Sequence, residues 1–264
     1  VNVVSLLLDK VTPSTTDDAP LGWQVSDFVV TLSSFDDLSG VDSTYYNLDN
    51  AGWVNGSTVL VNVSGNHSLQ YFSDDIALNV ESKKTIIVLL DKLMPLTLSD
   101  APLGWQSSDF VVTLLPSDDL LVVNYTSFNL DNAGWVNGTV VMVNVSGNHS
   151  LEYFSVDNAG NVESVNVVSL LLDKVTPSTT DDFDVEQAAV WRNTTQSITL
   201  LPVCGLSGCN WTKYCIGQAC NVENGIDYNT SVYLGEGTSY FRYASQSNAG
   251  IIQDAITRIF KVNY

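Results

Sequence analysis

The chain has 264 residues, a formal net charge of −19, 45% hydrophobic side chains and only 15% charged ones. Such apolar content builds packed cores instead of a disordered chain. The acidic balance argues against nucleic acid and against anionic membrane surfaces, which are both held through Lys and Arg, and no apolar run approaches the ~20 residues that membrane insertion as a helix requires.

The chain opens on VNVVSLLLDKVTPSTTDD at residues 1–18, and the same eighteen letters return at 165–182. Asp9-Lys10, Asp91-Lys92 and Asp173-Lys174 are spaced 82 residues apart each time. APLGWQ begins at Ala19 and Ala101, NLDNAGWVNG at Asn47 and Asn129, and NVSGNHSL at Asn62 and Asn144. A fixed period of this kind is the mark of tandem modules. It predicts an N-terminal strand at 1–10, near-identical domains at 11–92 and 93–174, and a diverged third domain at 175–264 that keeps Trp191, Tyr214, Phe241 and Tyr243 as landmarks.

Within a unit the apolar residues alternate. Phe28, Val30 and Leu32 share one face, as do Tyr46 and Leu48, then Val59, Val61 and Val63, then Leu69 and Tyr71. A period of two is that of a half-buried strand. Turn residues separate these runs, and Asn55-Gly56 is the strongest hairpin signal, because a type I′ turn needs positive φ at both central positions. The closing strand, 85–90, is apolar on both faces, and the third unit has its own closing strand at 255–262. Pro13, Pro95 and Pro177 then end each sheet and stiffen the connection. Five to seven short strands per unit, with no sustained helical period, predict an all-β chain of three tandem immunoglobulin-like sandwiches.

LGWQxSDFVVTL, DDLSGV, YYNLDNAGW, SLxYFSxDNAGNVES and LLDKxxP together resemble the immunoglobulin-like repeat modules of bacterial and archaeal cell-surface and extracellular filament proteins. The resemblance covers nearly the whole chain and implies a stalk, a spacer, a surface layer or a fibre. The third unit departs from it, with Cys215-Ile-Gly-Gln-Ala-Cys220 in place of the DNAGW hairpin.

Candidate sites are of four kinds. The cysteines fall into two short pairs, Cys204/Cys209 and Cys215/Cys220, each bracketing a turn; four-residue gaps favour two local disulfides over a zinc ribbon. Asn-x-Ser/Thr acceptors for N-linked glycans stand at Asn55, Asn62, Asn66, Asn124, Asn137, Asn144, Asn148, Asn193, Asn210 and Asn229, with Asn62 and Asn144 on an outward strand face and Asn55, Asn66, Asn137 and Asn148 in turns. With the cysteines, they indicate an extracellular or cell-surface location. Val1, Val3, Val4, Leu6, Leu7 and Leu8 form a strand cut off from its own repeat, built to pair with a neighbouring copy of the chain. Finally, Asp36-Asp37 and Asp118-Asp119 recur in a loop and are hard oxygen ligands suited to calcium, although no EF-hand pattern, other metal set or cofactor motif is present.

No catalytic group is assigned. His67 and His149 occupy one position in two copies, in a Gly-Asn-His-Ser segment that reads as an exposed turn. Trp23, Trp53, Trp105, Trp135 and Trp191 read as packing at domain edges. The sequence therefore points to a non-enzymatic structural subunit of an extracellular filament or surface array, joined head to tail by its N-terminal strand. A stalk segment of an adhesin and a carbohydrate-binding accessory protein are the rival readings.

Overall fold

The computed structural model describes residues 7–184 and 190–263. The first repeat contains β1 (Ser14–Asp17), β2 (Trp23–Gln24), β3 (Phe28–Phe35), β4 (Val41–Leu48), β5 (Val54–Asn55), β6 (Thr58–Val61), β7 (Gly65–Asp75) and β8 (Lys84–Leu90). They form a three-stranded sheet in the order β1-β3-β6 and a five-stranded sheet in the order β2-β8-β7-β4-β5. Every pairing is antiparallel except that of β2 with β8, where Trp23 and Gln24 run alongside Leu89 and Leu90.

The alternation in the sequence sets which face is buried. Val30 and Leu32 of β3, with Val59 and Val61 of β6, meet Leu69, Tyr71, Val88 and Leu90 of the larger sheet, and all eight are at most 3% exposed. Two sheets facing each other across such a core make a sandwich of the immunoglobulin type. Each of these side chains contributes ~1.5–3 kcal/mol by leaving water. Their strand neighbours Val29, Leu60 and Ile87 are exposed, so the closing strand, although apolar on both faces in sequence, buries one face and leaves Ile87 on the other in water. Val63 is also exposed, because β6 stops at Val61.

The second repeat has the same plan: β9 (Leu96–Ser99), β10 (Trp105–Gln106), β11 (Phe110–Ser117), β12 (Val123–Leu130), β13 (Val136–Asn137), β14 (Val140–Val143), β15 (Gly147–Asp157) and β16 (Asn166–Leu172). Its sheets run β14-β11-β9 and β10-β16-β15-β12-β13. The third holds β17 (Ser178–Asp181), β18 (Gln196–Ile198), β19 (Leu200–Val203), β20 (Cys209–Ile216), β21 (Ile226–Asp227), β22 (Val232–Leu234), β23 (Gly237–Ser247) and β24 (Ile256–Val262). Here the sheets are β17-β19, β18-β22 and β21-β20-β23-β24, around Ile198, Leu200, Leu234, Phe241, Tyr243 and Phe260. A single 3₁₀ turn at Val222–Asn224 is the one helical element among the described residues.

A buried hydroxyl triad ties the three repeats together more closely than their letters do. Thr15, Ser73 and Thr44 are linked at 2.7 and 2.9 Å, Thr97, Ser155 and Thr126 at 2.6 and 2.8 Å, and Thr179, Ser245 and Thr212 at 2.6 and 2.8 Å. All nine residues are buried. Buried hydroxyls must be paired to avoid a desolvation cost, and a three-membered chain through the central serine meets that requirement in each sandwich.

By density of contacts the chain separates into two compact units. One comprises Val1–Leu98, Leu115–Ser127 and Tyr153–Val165, and the other comprises Ser99–Leu114, Phe128–Glu152 and Asn166–Tyr264. The first contains the whole first repeat, and the second contains the whole third repeat.

The hairpin turn lies elsewhere than Asn55-Gly56. Positive φ falls on Asp49 (52°) and Asn50 (59°), and again on Asp131 (54°) and Asn132 (57°). The Ala51 amide donates to the Leu48 carbonyl at 3.0 Å and closes the turn. Asp and Asn tolerate the left-handed region because their short side chains bond locally. Asn55 instead belongs to β5, opposite Tyr45.

Candidate functional site

Three aspartates meet wherever the chain enters one of the first two repeats. Asp9, Asp36 and Asp75 each bring a carboxylate oxygen within 4.8 Å of the other two, and so do Asp91, Asp118 and Asp157. These are the same three positions, 82 residues apart. Asp91 follows the closing strand β8, Asp36 and Asp118 follow β3 and β11, and Asp75 and Asp157 end β7 and β15. Both clusters lie inside the first compact unit.

Local backbone geometry holds each carboxylate. Asp157 accepts the Gly160 and Asn161 amides on Oδ1 at 2.7 and 2.8 Å, and Asn161 Nδ2 on Oδ2 at 2.8 Å. Asn161 Nδ2 also donates to the Asp91 carbonyl at 2.9 Å, which ties the incoming chain to the turn. Asp118 Oδ1 accepts the amides of Leu120 and Leu121 at 3.1 and 2.7 Å, and Asp91 Oδ1 that of Leu93 at 3.0 Å. In the first repeat Asp36 Oδ2 takes Leu38 and Gly40, Asp75 takes Asn79, and Asp9 takes Val11 and Ser39.

One oxygen on each of three carboxylates is left over. Asp91 has no accessible surface, yet its Oδ2 accepts no hydrogen bond; Asp118 Oδ2 and Asp36 Oδ1 are buried and likewise accept none. None of the ion pairs among the described residues involves any of the six aspartates. Burial pushes the Asp91 carboxyl above the usual range, and repulsion from Asp118 and Asp157 adds to that against the opposing Leu93 amide.

The third repeat resolves the same position differently. Asp173 Oδ2 accepts the Ser207 amide at 2.8 Å and Oδ1 that of Val175 at 3.0 Å. Burial would raise its pKa, but these bonds outweigh it and hold the carboxyl low. Leu206-Ser207-Gly208 corresponds to Leu38-Ser39-Gly40, whereas Ser247 stands at the end of β23 where Asp75 and Asp157 end β7 and β15. The Cys204–Cys209 disulfide closes this loop.

The sequence paired the aspartates by adjacency, and only half of each pair takes part. Asp36 and Asp118 point into the clusters, while Asp37 and Asp119 are exposed and lie outside them. Asp9, Asp75, Asp91 and Asp157 were missed because their partners are far away in sequence; their 82-residue recurrence was the available signal.

Both cysteine pairs form disulfides, Cys204–Cys209 and Cys215–Cys220, and no free cysteine remains. The chain thus carries the chemistry of an oxidising compartment. All ten sequon asparagines are exposed. Asn62 and Asn144 stand just past the ends of β6 and β14, whereas Asn55, Asn66, Asn137 and Asn148 lie in strands and not in turns. Of the N-terminal strand, Val1, Val3, Val4 and Leu6 lie outside the described residues, and Leu7 and Leu8 are 96% and 71% exposed.

His67 is buried, which corrects its reading as an exposed turn residue. Its Nδ1 meets Asp49 Oδ2 at 2.6 Å and its Nε2 meets the Val63 carbonyl at 2.7 Å; His149 repeats this with Asp131 and Val145 at 2.6 and 2.8 Å. With acceptors on both ring nitrogens, the imidazole is committed to joining a turn to a strand. Trp23 and Trp105 lie in β2 and β10, against the closing strands, and Arg192 beside Trp191 makes the equivalent parallel bridge to Val262. Trp53 stands edge-on to Phe72, with Lys83 Nζ 4.8 Å over its ring.

No family model and no curated protein matches the chain. Among solved structures it is similar to fibronectin(III)-like modules of Clostridium thermocellum CbhA, at 14% identity over 60% of this chain and 94% of that one, with a TM-score of 0.34. It is also similar to the N-terminal eight Ig domains of Down Syndrome Cell Adhesion Molecule, at 9% identity over 91% of this chain and 39% of that one, TM-score 0.32. A four-Ig-domain structure of Dscam1 isoform 6.44 gives 10% identity over 97% of this chain and 73% of that one, TM-score 0.33. No helix among the described residues is long and apolar enough to cross a membrane.

Proposed function

We propose that the chain is a structural subunit of an extracellular filament or surface array, in which residues 1–8 supply a β-strand to a neighbouring sandwich and the exposed sequons carry N-glycans. One observation carries this reading. Among the described residues the strand beside each closing strand is short: β2 meets β8 at Leu89 and Leu90, β10 meets β16 at Leu171 and Leu172, and β24 has a bridge at Val262. A sheet edge of this kind accepts a further strand through its main chain. Residues 1–8 repeat the letters of 165–172, where Leu170 and Leu172 are fully buried. Leu6 and Leu8 are therefore suited to a core, and Leu8 is exposed on this chain.

A second reading has its own support. β8, β16 and β24 already fill the closing position of all three described repeats, so insertion into an emptied groove has no acceptor among them. This favours a stalk, in which residues 1–8 close a further sandwich of the same polypeptide. Electron microscopy and sedimentation of the purified chain, with and without residues 1–10, separate the two readings. The array reading expects polymers that disappear on deletion, and a chain that stays monomeric in both forms leaves the stalk. Intact mass then tests the glycans: material from the native source should exceed 28.7 kDa, and the bare mass would remove that part of the proposal.

A further inference from the structure

We propose that Asp9, Asp36 and Asp75 bind one calcium ion, that Asp91, Asp118 and Asp157 bind a second, and that the Cys204–Cys209 disulfide replaces the ion in the third repeat. The proposal stands apart from the array reading, since it concerns how one chain is braced.

The argument begins with the unpaired oxygen of Asp91. A carboxylate with no accessible surface and an oxygen that accepts nothing is costly to bury, and here two more carboxylates face it instead of a lysine or an arginine. Asp118 Oδ2, also buried and without a donor, belongs to the same cluster. A cation among them removes the repulsion and satisfies both oxygens at once. All the ligands are carboxylate oxygens, a hard set that selects calcium or magnesium over zinc or copper. Ligand atoms within 4.8 Å of one another fit a calcium sphere, whose oxygens lie ~2.4 Å from the ion. Magnesium demands a tighter octahedron and gives up its water reluctantly.

The third repeat serves as an internal comparison. There Ser247 takes the place of Asp75 and Asp157, a cysteine loop takes the place of the aspartate loop, and amides satisfy both oxygens of Asp173. The two carboxylates that would face Asp173 disappear together, at the one entry loop that gains a covalent cross-link. In the first two repeats the ion would tie the entering chain to the loop after β3 or β11 and to the turn after β7 or β15.

Isothermal titration of calcium into the chain, stripped with EDTA and held in millimolar magnesium, tests this. Two ions are expected per chain, with an accompanying rise of at least ~5 °C in Tm as the ligand binds only the folded state. Asp118→Asn is expected to leave one ion and so is Asp36→Asn, while Asp37→Asn, outside the cluster, keeps two. Absence of binding by the unaltered chain would overturn the proposal whether or not the variants fold. So would two ions retained by Asp118→Asn, and displacement of calcium by equimolar magnesium would overturn the choice of ion.

Discussion

At the scale of single residues, the three copies of one turn differ in backbone cost. Leu78 has φ +71°, where the second repeat has Gly160 at +98° and the third has Gly250 at +84°. An L-residue with a Cβ loses ~1–2 kcal/mol in this region, and glycine does not. Leu78 is 81% exposed, so its side chain adds little burial in return. Leu78→Gly is therefore expected to stabilise the first repeat by about 1 kcal/mol, read as a rise in the urea midpoint; a fall would mean that Leu78 makes a contact worth more than the strain. A compensating exchange is visible nearby. Tyr45 stacks on Phe72 at 5.2 Å, and although Ser127 takes its place in the second repeat, Tyr125 there approaches Phe154 at 6.5 Å. The sequence shows the loss of Tyr45 plainly, but the substitute lies two positions away on the same strand face and is recognised only once the aromatic partner is known.

At the scale of elements, the Asp-His links join the turn after β4 to β7 and the turn after β12 to β15. For His67, burial alone would lower the pKa, but the bonds to Asp49 and Val63 outweigh it and the pKa rises; for His149 the Asp131 bond is the leading cause of the rise. Asp49 and Asp131 shift down, because the bonds to the histidine and the following amide exceed the cost of burial. A histidine with a raised folded pKa stabilises fully below its unfolded value of ~6.5 and loses that contribution as pH climbs through the folded value. The aspartates stabilise above ~3.9 and lose their contribution as pH falls through their lowered values. On moving from pH 5.5 to pH 8.5, the native chain should lose more Tm than the double variant His67→Gln, His149→Gln. Equal losses would show that folding does not raise the pKa of the imidazoles.

The strands themselves were legible from the period of two, since Val30, Leu32, Val59, Val61, Leu69 and Tyr71 all face inward as their spacing requires. The polar interior was not. Thr15, Thr44 and Ser73 occupy strand positions where a hydroxyl reads as solvent-facing, and only pairing across the two sheets shows that they satisfy one another. His67 was hidden for a similar reason: Gly-Asn-His-Ser carries turn residues, but β7 runs through them and buries the ring.

At the scale of the whole molecule, the repeats are equivalent in fold and unequal in how their entry loops are fastened. The 82-residue period made the first two repeats readable, and the third was harder because insertions shift its spacing: Thr179 keeps the 82-residue step from Thr97, while Ser245 lies 90 residues beyond Ser155. Its kinship rests on the hydroxyl triad and on Arg192 bridging Val262, neither of which a letter comparison exposes. The role of residues 1–8 is the point on which the functional account turns. Hydrogen exchange at the backbone amides of residues 2–8, compared between assembled and dispersed chains, reports it directly. The account predicts slow exchange in the assembly, with the amides of a newly paired strand protected, and rapid exchange in dispersed chains. Rapid exchange in both would contradict strand addition, whatever else holds the assembly together.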